Sequence, residues 1–387
     1  MLVQNLVSGE RTELGPGDFP VYSPTGHLMY QSARRTYELW AAPFTLDTLQ
    51  FTGQAFRVAD ESRYPTIAAD GTLVYLDAQG SGQEQLVWLD RRGVKTGNVG
   101  LEFEDISVIR LSPDERSVAL AATDGANWDV YVHEMSRGST HRVSTAEQVD
   151  GMPVWSPDGE HLAFGSTRSG NWDIFQRRAD GTGEEEALVA TPDGESPRDW
   201  SRDDQYLLYQ RGSPETGPDV WYLERTEDGS GWEPHPFLQD PADQRVPRFS
   251  PNGRYVAYVS NESGRDEVYV DSFPERSRRR TVSSNGGTGP VWSRDGKELF
   301  YINGSGMLVS VEVSIEGEFT TGQAVPLFED PGNRARSLPG SDQAPYDVSE
   351  DGQRFLVAEV VEGEAAQPQI RVVQNWYEEF RGRDGTE

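Results

Sequence analysis

One short phrase recurs eight times along this chain and constrains the fold more than any other feature. Each copy has a hydrophobic or aromatic residue, then Ser or Ala, then a tight turn, and a hydrophobic strand follows. The copies lie at residues 21–26, 66–71, 110–115, 154–159, 199–204, 248–253, 291–296 and 347–352. Their central Ser or Ala residues are 43 to 56 residues apart. A period in the forties with four short strands per unit is typical of a β-propeller blade.

The fourth copy shows how one repeat is built. Residues 153–156 read as a first strand, and Pro157, Asp158 and Gly159 supply the turn. Pro presets φ, Asp bonds back to the backbone, and Gly accepts a positive φ. Residues 161–165, 172–176 and 186–189 follow as the second, third and fourth strands. The repeat therefore predicts an all-β chain of four-stranded antiparallel blades.

Eight copies predict a single propeller domain of eight blades over residues 1–387. Residues 1–14 read as two outer strands, and residues 345–376 supply inner strands. We expect these two segments to share the closing blade, which removes exposed sheet edges, and residues 377–387 to form a polar tail. The alternative is six closed blades from about residue 101 onward, with the first two repeats in a second, incomplete ring. The insertion at residues 330–344 is a candidate mobile loop.

Composition narrows the function classes. The chain carries a net charge of −29 and no cysteine. Disulfides, thiolate metal sites and a cysteine nucleophile are therefore excluded, and nucleic acid or an anionic membrane is a poor partner. No apolar run approaches the roughly 20 residues of a membrane helix, and no signal peptide is visible. Because residue 1 reads as the interior of a blade, we expect a piece of a longer protein. The one basic cluster, residues 276–280, is predicted to be a solvated strand edge.

Two recurring side-chain types are predicted to be structural. An acid stands at the entry of the third strand in four repeats, where it can accept hydrogen bonds from loop amides of its own blade. These acids are Asp129, Asp173, Asp219 and Glu267. A large aromatic residue precedes the repeated Ser and is expected to fill the core between blades. These aromatics are Tyr22, Trp155, Trp200, Phe249 and Trp292.

The loop aromatics of two adjacent blades are candidate ligand contacts. Asn127 and Trp128 end one loop, and Asn171 and Trp172 end the equivalent loop of the next repeat. Two indoles at equivalent positions would form a pair on one rim, suited to a peptide or a glycan. The alternative is that each Trp covers the end of its own blade.

A second set of candidate ligand residues comes from the inner strands. Most of the repeated phrase is constant, but the residue two places before Ser varies in charge. It is Arg110, Asp199, Arg248 and Asp347 in four copies. Because the constant residues serve the scaffold, specificity is expected where the copies differ.

No pattern in the chain indicates catalysis. The five histidines stand at 27, 133, 141, 161 and 235, without metal-ligand spacing. No Gly-x-Ser-x-Gly elbow and no phosphate-binding glycine loop occur. We therefore predict no catalytic residue, no metal site and no cofactor.

The residues Trp155-Ser156-Pro157-Asp158-Gly159 and Trp172-Asp173-Ile174-Phe175 resemble the TolB-like, WD-like propeller repeats of bacteria. Residues 267–274, 283–301, 346–356 and 375–380 are similar to the propeller half of bacterial transmembrane serine/threonine protein kinases. The resemblance covers essentially the whole chain. It implies a sensing or scaffolding propeller, extracytoplasmic in that family, joined through a membrane segment to a kinase domain. This sequence has no glycine-rich loop, His-Arg-Asp or Asp-Phe-Gly motif, so kinase activity would belong to residues outside it.

These observations predict a non-catalytic sensor or scaffold module for a protein, a peptide, an envelope glycan or a small ligand. We expect a monomer that neither binds nucleic acid nor inserts into a membrane. It is expected to be extracytoplasmic if it is part of a membrane kinase and cytoplasmic if it is free-standing. Two alternatives remain open: a hydrolase or lyase with a site at the channel mouth, and a severed kinase fragment with no independent role.

Overall fold

The computed structural model describes residues 1–4, 11–15, 17–31, 38–60, 62–77, 83–124, 127–213, 216–229, 231–329, 343–361 and 369–381. Within these ranges the chain forms 34 β-strands and one short 3-10 helix. The all-β class predicted from the sequence is confirmed. Contacts divide the chain into two compact units, Met1–Gln83 with Val360–Glu387, and Glu84–Glu359, instead of the single domain predicted.

The first unit opens with nine strands. They are β1 (Leu2–Gln4), β2 (Arg11–Glu13), β3 (Asp18–Ser23), β4 (His27–Gln31), β5 (Leu39–Thr45), β6 (Gln50–Phe51), β7 (Phe56–Ala59), β8 (Ser62–Ile67) and β9 (Leu73–Asp77). β1 and β2 pair with each other, and β3 to β7 form one antiparallel sheet in which both β6 and β7 pair with β5.

The second unit contains the next 24 strands. They are β10 (Glu84–Asp90), β11 (Lys95–Phe103), β12 (Asp105–Leu111), β13 (Ser117–Thr123), β14 (Trp128–Glu134), β15 (Ser139–Arg142), β16 (Asp150–Trp155), β17 (His161–Ser166), β18 (Asp173–Arg178), β19 (Glu186–Val189), β20 (Glu195–Trp200), β21 (Tyr206–Ser213), β22 (Gly217–Arg225), β23 (Trp232–Leu238), β24 (Gln244–Phe249), β25 (Tyr255–Ser260), β26 (Glu267–Ser272), β27 (Arg280–Thr281), β28 (Gly287–Trp292), β29 (Glu298–Asn303), β30 (Met307–Ser314), β31 (Thr320–Glu329), β32 (Tyr346–Val348) and β33 (Arg354–Val360).

The chain then returns to the first unit with β34 (Gln369–Val373) and a 3-10 helix at Trp376–Glu379. β34 pairs with β9, which also pairs with β8. Trp376 is 1% exposed and stacks on Phe56, and Tyr377 and Phe380 pack against the same core. The predicted polar tail is therefore wrong for residues 377–380, and residues 382–387 lie outside the described residues.

Six four-stranded antiparallel sheets make up the second unit. Five of them use consecutive strands, in the orders β12 to β15, β16 to β19, β20 to β23, β24 to β27 and β28 to β31. The sixth has the order β11-β10-β33-β32. The inner strands β12, β16, β20, β24, β28 and β32 each contact the next, and β32 contacts β12. The six sheets therefore close a ring.

The predicted closing blade is wrong in its partners. β32 and β33 pair with β10 and β11 from residues 84–103, whereas β1 pairs with β2. The eight phrases do give eight separate sheets, but six of these belong to the ring of the second unit. This pairing follows the alternative of six closed blades plus two N-terminal repeats. The insertion predicted as a loop, residues 330–344, lies outside the described residues up to residue 342.

The repeated Ser and the acid two residues later explain why each copy turns. In the third copy the Ser112 hydroxyl donates to Asp114 Oδ1 over 2.7 Å and accepts from the Ser117 amide at 3.0 Å. The same pair of bonds occurs in the other five copies of the second unit, with Asn252 in place of the acid in one of them. The Ser112 hydroxyl lowers the pKa of Asp114, so the acid remains an acceptor at neutral pH.

The core of the second unit lies between neighbouring sheets. Ala119, Val130 and Val132 of one sheet pack against Leu162 and Phe164 of the next. The predicted core role of the aromatics before Ser is confirmed for the four that are at most 9% exposed, which are Trp155, Trp200, Phe249 and Trp292. It is wrong for Tyr22, which is 38% exposed.

Candidate functional site

A cavity lies where the six inner strands of the second unit meet. This axial cavity has a volume of about 170 Å³ and is lined by one residue at the same repeat position of every inner strand. In chain order these residues are Arg110, Val154, Asp199, Arg248, Val291 and Asp347. The four charged candidates that the sequence singled out on the inner strands therefore line a single cavity.

The order of these six residues repeats itself halfway round the ring. Arg, Val and Asp occur on β12, β16 and β20, and Arg, Val and Asp occur again on β24, β28 and β32. In a ring of six sheets, β12 and β24 are three sheets apart and so lie on opposite sides. The cavity consequently has an approximate two-fold pattern, with one arginine facing the other.

Each aspartate is held by the main chain of the next inner strand. Asp199 Oδ2 accepts the Phe249 amide at 2.7 Å, and Asp347 Oδ2 accepts the Leu111 amide at 2.7 Å. The guanidinium of Arg248 approaches Asp199 to 3.7 Å between Nη1 and Oδ1. Backbone donors fix both carboxylates, because hydrogen bonds to charged groups are stronger than those between neutral groups.

Each arginine donates to a main-chain carbonyl, which belongs to its own strand for Arg110 and to the preceding inner strand for Arg248. Arg110 Nη1 donates to the Ile109 carbonyl at 2.9 Å, and Arg248 Nη1 donates to the Arg198 carbonyl at 3.0 Å. The main-chain carbonyls of the two arginines accept indole N–H groups from the following sheets, Trp155 at 2.9 Å and Trp292 at 3.2 Å. The aromatics before Ser therefore fix the inner strands as well as filling the core.

Gln343, four residues before Asp347, links the two arginines. It is 5% exposed, and its Oε1 accepts from Arg110 Nη2 and from Arg248 Nη2, the latter at 3.3 Å. The neighbouring Ala344 packs against Gly289 of β28, where a Cβ would lie 3.1 Å from the Ala344 Cα. Gln343 therefore reaches between opposite sides of the ring at the cavity.

Burial shifts the ionisation of the cavity residues. Burial raises the pKa of Asp199 to about 7, although the Phe249 amide and Arg110 oppose the shift. Burial also raises the pKa of Asp347, against the effect of Arg110. The pKa of Arg110 is lowered by burial and raised by Asp347 and Asp199. The four charges nearly cancel when both carboxyls are ionised, and protonation of Asp199 leaves the cavity positive.

Two further arginines stand at the turn end of the inner strands. Arg202 is exposed and lines the cavity, and Arg294 donates to the carbonyls of Ser112 and Pro113. Both occupy the turn position that is Pro in four of the eight copies, including Pro251. Because Arg202 is exposed, the cavity is accessible to solvent at this end.

The loop candidates do not form the predicted rim pair. Trp128 is 7% exposed, so its indole is part of the core. The prediction that Trp128 is a surface contact is therefore wrong. Trp172 is half-buried over Gly165 of its own sheet, where a Cβ would lie 2.9 Å from the indole. The alternative reading, in which each Trp covers its own blade, agrees with these positions.

The two asparagines beside these tryptophans fasten loops. Asn127 Nδ2 donates to Asp129 Oδ1 at 3.0 Å and to the Gln148 carbonyl at 2.8 Å. Asn171 Nδ2 donates to the Thr191 carbonyl at 2.7 Å. Their side-chain amides are therefore engaged within the fold.

Sequence reasoning missed three residues of the site. Arg202 and Arg294 follow the repeated Ser, where four copies have Pro. This departure from the repeat is the sequence signal that marks both residues. Gln343 precedes the eighth copy and belongs to no repeated position. Its place at the cavity depends on the path of the chain, which no local pattern encodes.

The acids at the third-strand entries have the predicted structural role. Asp129, Asp173, Asp219 and Glu267 are at most 3% exposed. Each accepts from its own loops: Asp173 from Ser169, Asp219 from Thr216 at 2.9 Å, and Glu267 from Ser283 and the Gly286 amide. The prediction that these carboxylates serve the scaffold is confirmed.

A larger surface concavity, of about 990 Å³, contains the basic cluster. Its arginines are already paired: Arg276 with Asp240, Arg279 with Glu262, and Arg278 and Arg280 with Glu318. These pairs are exposed and therefore weak, and the cluster fits the predicted solvated strand edge. The axial cavity is the better candidate site because both of its arginines are buried and its aspartates are partly buried.

Within the described ranges, one group of three potential ligands occurs, Asp158, Glu160 and His161, on a turn with both acids exposed. It contains one histidine, and no histidine is among the residues that line the axial cavity. In the part of the chain that the structure describes, no helix has the length and apolar character to cross a bilayer.

Comparison with known proteins supports the propeller fold. Residues 104–220 match the PD40 family model, described as the TolB beta propeller domain. No curated protein matches the chain. TolB from Agrobacterium tumefaciens is structurally similar, with a TM-score of 0.55 and 15% identity over 73% of this chain and 99% of that chain. At this identity the likeness concerns the fold alone.

Two other solved structures are similar at lower scores. TolB from Acinetobacter baumannii has a TM-score of 0.49 and 15% identity over 82% of this chain and 79% of that one. An oligogalacturonate lyase in complex with manganese has a TM-score of 0.48 and 12% identity over 81% and 95%. The family match over residues 104–220 therefore assigns TolB-type repeats to that part of the chain, and the likeness to solved structures concerns the propeller fold alone.

Proposed function

We propose that this chain is a non-catalytic binding module that recognises its ligand at the axial cavity. One observation supports the proposal: Arg110, Asp199, Arg248 and Asp347 come from four separate sheets and line one small cavity. Charges removed from water destabilise a fold unless they are well paired, and such groups gather at functional sites. A scaffold that needed only stability would have apolar residues at these positions, as at Val154 and Val291.

The ligand is proposed to be part of a protein or of another envelope component. The TolB-type fold supports a protein partner, and the exposed Arg202 supports access from the turn end of the ring. The resemblance to kinase propellers supports a sensor role in the same way. An upstream coding region for a kinase and a membrane helix would support that role, and a free-standing gene would count against it.

The test is capture of partners from envelope and cytosolic extracts by the full chain and two variants. Arg202→Ala removes the exposed arginine of the cavity, and Arg116→Ala removes an arginine whose side chain is 82% exposed on a turn. We expect a specific partner to be captured by the wild type and by Arg116→Ala and lost with Arg202→Ala. Equal capture by all three proteins would refute a ligand site at the cavity.

One observation favours a second candidate, an enzyme with its site at the channel mouth. Asp199, with a pKa of about 7, has the ionisation of a general acid or base. Its Oδ2 is already bound by the Phe249 amide, which favours binding over proton transfer. Hydrolysis or elimination of a substrate that is lost in Asp199→Asn but retained in Asp295→Asn would establish the enzyme instead.

A further inference from the structure

The two arginines of the axial cavity converge on a single oxygen. Arg110 Nη2 and Arg248 Nη2, from opposite sides of the ring, both donate to Gln343 Oε1. The three side chains are between 5% and 7% exposed. It is unusual for two buried guanidiniums to share one neutral amide oxygen. A guanidinium is complementary to a carboxylate, both in geometry and in charge.

We infer that the axial cavity binds a carboxylate group between Arg110 and Arg248, at the position that the side-chain carbonyl of Gln343 occupies in this structure. The inference rests on the proposed function and names the chemistry of its ligand. Gln is the neutral isostere of Glu, so the chain itself presents the shape of a carboxylate to the two arginines.

Unmet hydrogen-bonding groups show that Gln343 fits this position imperfectly. Arg110 Nε, Arg248 Nε and Gln343 Nε2 are buried, and none has a hydrogen-bond partner among the described residues. A buried donor without a partner is destabilising. A carboxylate has two oxygens and accepts about four hydrogen bonds, so it would satisfy more guanidinium donors and bring no N–H of its own.

The charges around the cavity favour a carboxylate over a phosphate. Asp199 and Asp347 line the same cavity as the two arginines. A doubly charged phosphate would meet both carboxylates, whereas a singly charged group can be accommodated when Asp199 takes up a proton near pH 7. The two acids therefore select for a small monoanion.

The size and walls of the cavity suit the end of a chain. About 170 Å³ holds a small carboxylic acid or the last residue of a peptide. Val154, Val291 and Trp200 provide apolar wall for the carbon atoms, and the exposed Arg202 lies on the route from solvent. A free acid and a peptide C-terminus share this chemistry, and the experiment separates them.

The test is calorimetric titration of the full chain at pH 6.5 with propionate and with triglycine. The controls are triglycine amidated at its C-terminus and inorganic sulfate, which is doubly charged at this pH. We expect propionate or triglycine to bind, and both controls to bind at least about tenfold more weakly. Binding of propionate alone assigns the site to free acids, and binding of triglycine assigns it to chain ends. Failure of both, or sulfate binding as tight as carboxylate binding, would overturn the inference.

Substitutions at Gln343 provide the sharper comparison. Gln343→Ala removes the side-chain carbonyl that accepts from both arginines. Because a carboxylate then no longer competes with these hydrogen bonds, we expect its affinity to rise about tenfold or more. Gln343→Glu supplies a carboxylate from within the chain, so we expect it to raise Tm and to abolish binding of the probes. A lower Tm together with unchanged binding in Gln343→Glu would overturn the inference.

Arg248→Gln completes the set and should weaken carboxylate binding at least about tenfold. If Arg248→Gln does not fold, the two Gln343 variants still decide the question. If carboxylates do not bind while partner capture still requires Arg202, the inference fails and the proposed function stands.

Discussion

The charged side chains of the axial cavity are positioned by main-chain atoms more than by one another. The Phe249 and Leu111 amides hold the two aspartates, and main-chain carbonyls accept from the two arginines. Since these contacts come from the strands themselves, we expect the side chains to keep their positions when a ligand binds. Such preorganisation reduces the conformational entropy lost on binding and is what a recognition site requires.

Asp199 should make stability depend on pH near neutrality. Burial raises its pKa from 3.8 to about 7, so the folded state favours the protonated carboxyl. The stability that this proton provides is fully present below about pH 4 and is lost as the pH rises through about 7. Between pH 5 and pH 8 we expect Asp199→Asn, which does not titrate, to gain roughly 3 kcal/mol relative to wild type. Urea unfolding at each pH measures the difference.

The control for this experiment is Asp295→Asn, since Asn252 occupies the same position in another copy. The pKa of Asp295 is lowered, although burial opposes the shift, because Ser293 and the Lys297 amide donate to the carboxylate. This carboxylate stays ionised between pH 5 and pH 8. A stability profile of Asp199→Asn that runs parallel to those of wild type and Asp295→Asn would contradict a raised pKa at Asp199.

At the scale of the element, the hairpin turn after each inner strand of the second unit has the same hydrogen-bond pattern. Its Ser hydroxyl joins the side chain two residues on, which is Asp in five copies and Asn252 in the other, to the amide five residues on, in all six copies of the second unit. The Gly that follows in four copies has a φ of 67° to 74°, which other residues adopt with strain. The turn fixes the register of the two inner strands and thereby the residues that face the cavity.

Removal of one such hydroxyl should cost measurable stability. Ser293→Ala leaves the Glu298 amide without its side-chain acceptor and removes one of the donors to Asp295. We expect the free energy of unfolding to fall by about 1–2 kcal/mol, as for the loss of a buried hydrogen bond. Ser263→Ala, on an exposed turn, should change it by less than about 0.5 kcal/mol. Equal effects of the two substitutions on urea midpoints would show that the repeated network is not stabilising.

Arg91 links the closing sheet of the second unit, β11-β10-β33-β32, to the neighbouring sheet. Arg91, in the turn between β10 and β11, donates to both carboxylate oxygens of Glu298 at 2.8 and 2.9 Å and to the Gly352 carbonyl at 2.9 Å. The adjacent Arg92 is 80% exposed and pairs with Asp90 of the same turn. Arg91 therefore joins the two hairpins of the closing sheet to the neighbouring sheet β28 to β31, whereas Arg92 pairs within its own turn.

This difference makes the two arginines a matched pair. Arg91→Ala should lower the free energy of unfolding by about 1–3 kcal/mol, because a half-buried bidentate ion pair and a carbonyl bond are lost. Arg92→Ala should have an effect below about 0.5 kcal/mol. Thermal denaturation followed by circular dichroism compares them directly. A larger loss from Arg92→Ala would mean that β10 and β11 do not close the ring as described.

Local patterns were sufficient to predict the turns, the sheets and the four charged residues of the cavity. The period of the phrase placed Arg110 and Arg248 at one repeat position, and a ring necessarily brings such positions together. The closing pairs were not predictable in this way, because which strand completes the last sheet depends on how many sheets the packing of the blades allows. Trp128 was misassigned because its sequence position marks the end of a loop and does not indicate which side of the sheet it faces.

At the scale of the molecule, the second unit combines a sixfold scaffold with a twofold site. The scaffold repeats in every sheet, whereas the Arg, Val and Asp order repeats only once round the ring. Gln343 breaks even this symmetry, because a single side chain serves both arginines. The repeated residues thus build the ring, and the residues that depart from the repeat give the cavity its chemistry.

The most direct test of this account is a crystal structure of the full chain grown with whichever of propionate and triglycine binds in the titration. We expect the ligand carboxylate to lie between Arg110 and Arg248, with the Gln343 side chain displaced from both. The aspartates should keep their bonds to the Phe249 and Leu111 amides. A structure in which the ligand binds elsewhere, while Gln343 Oε1 still accepts from both arginines, would contradict the account.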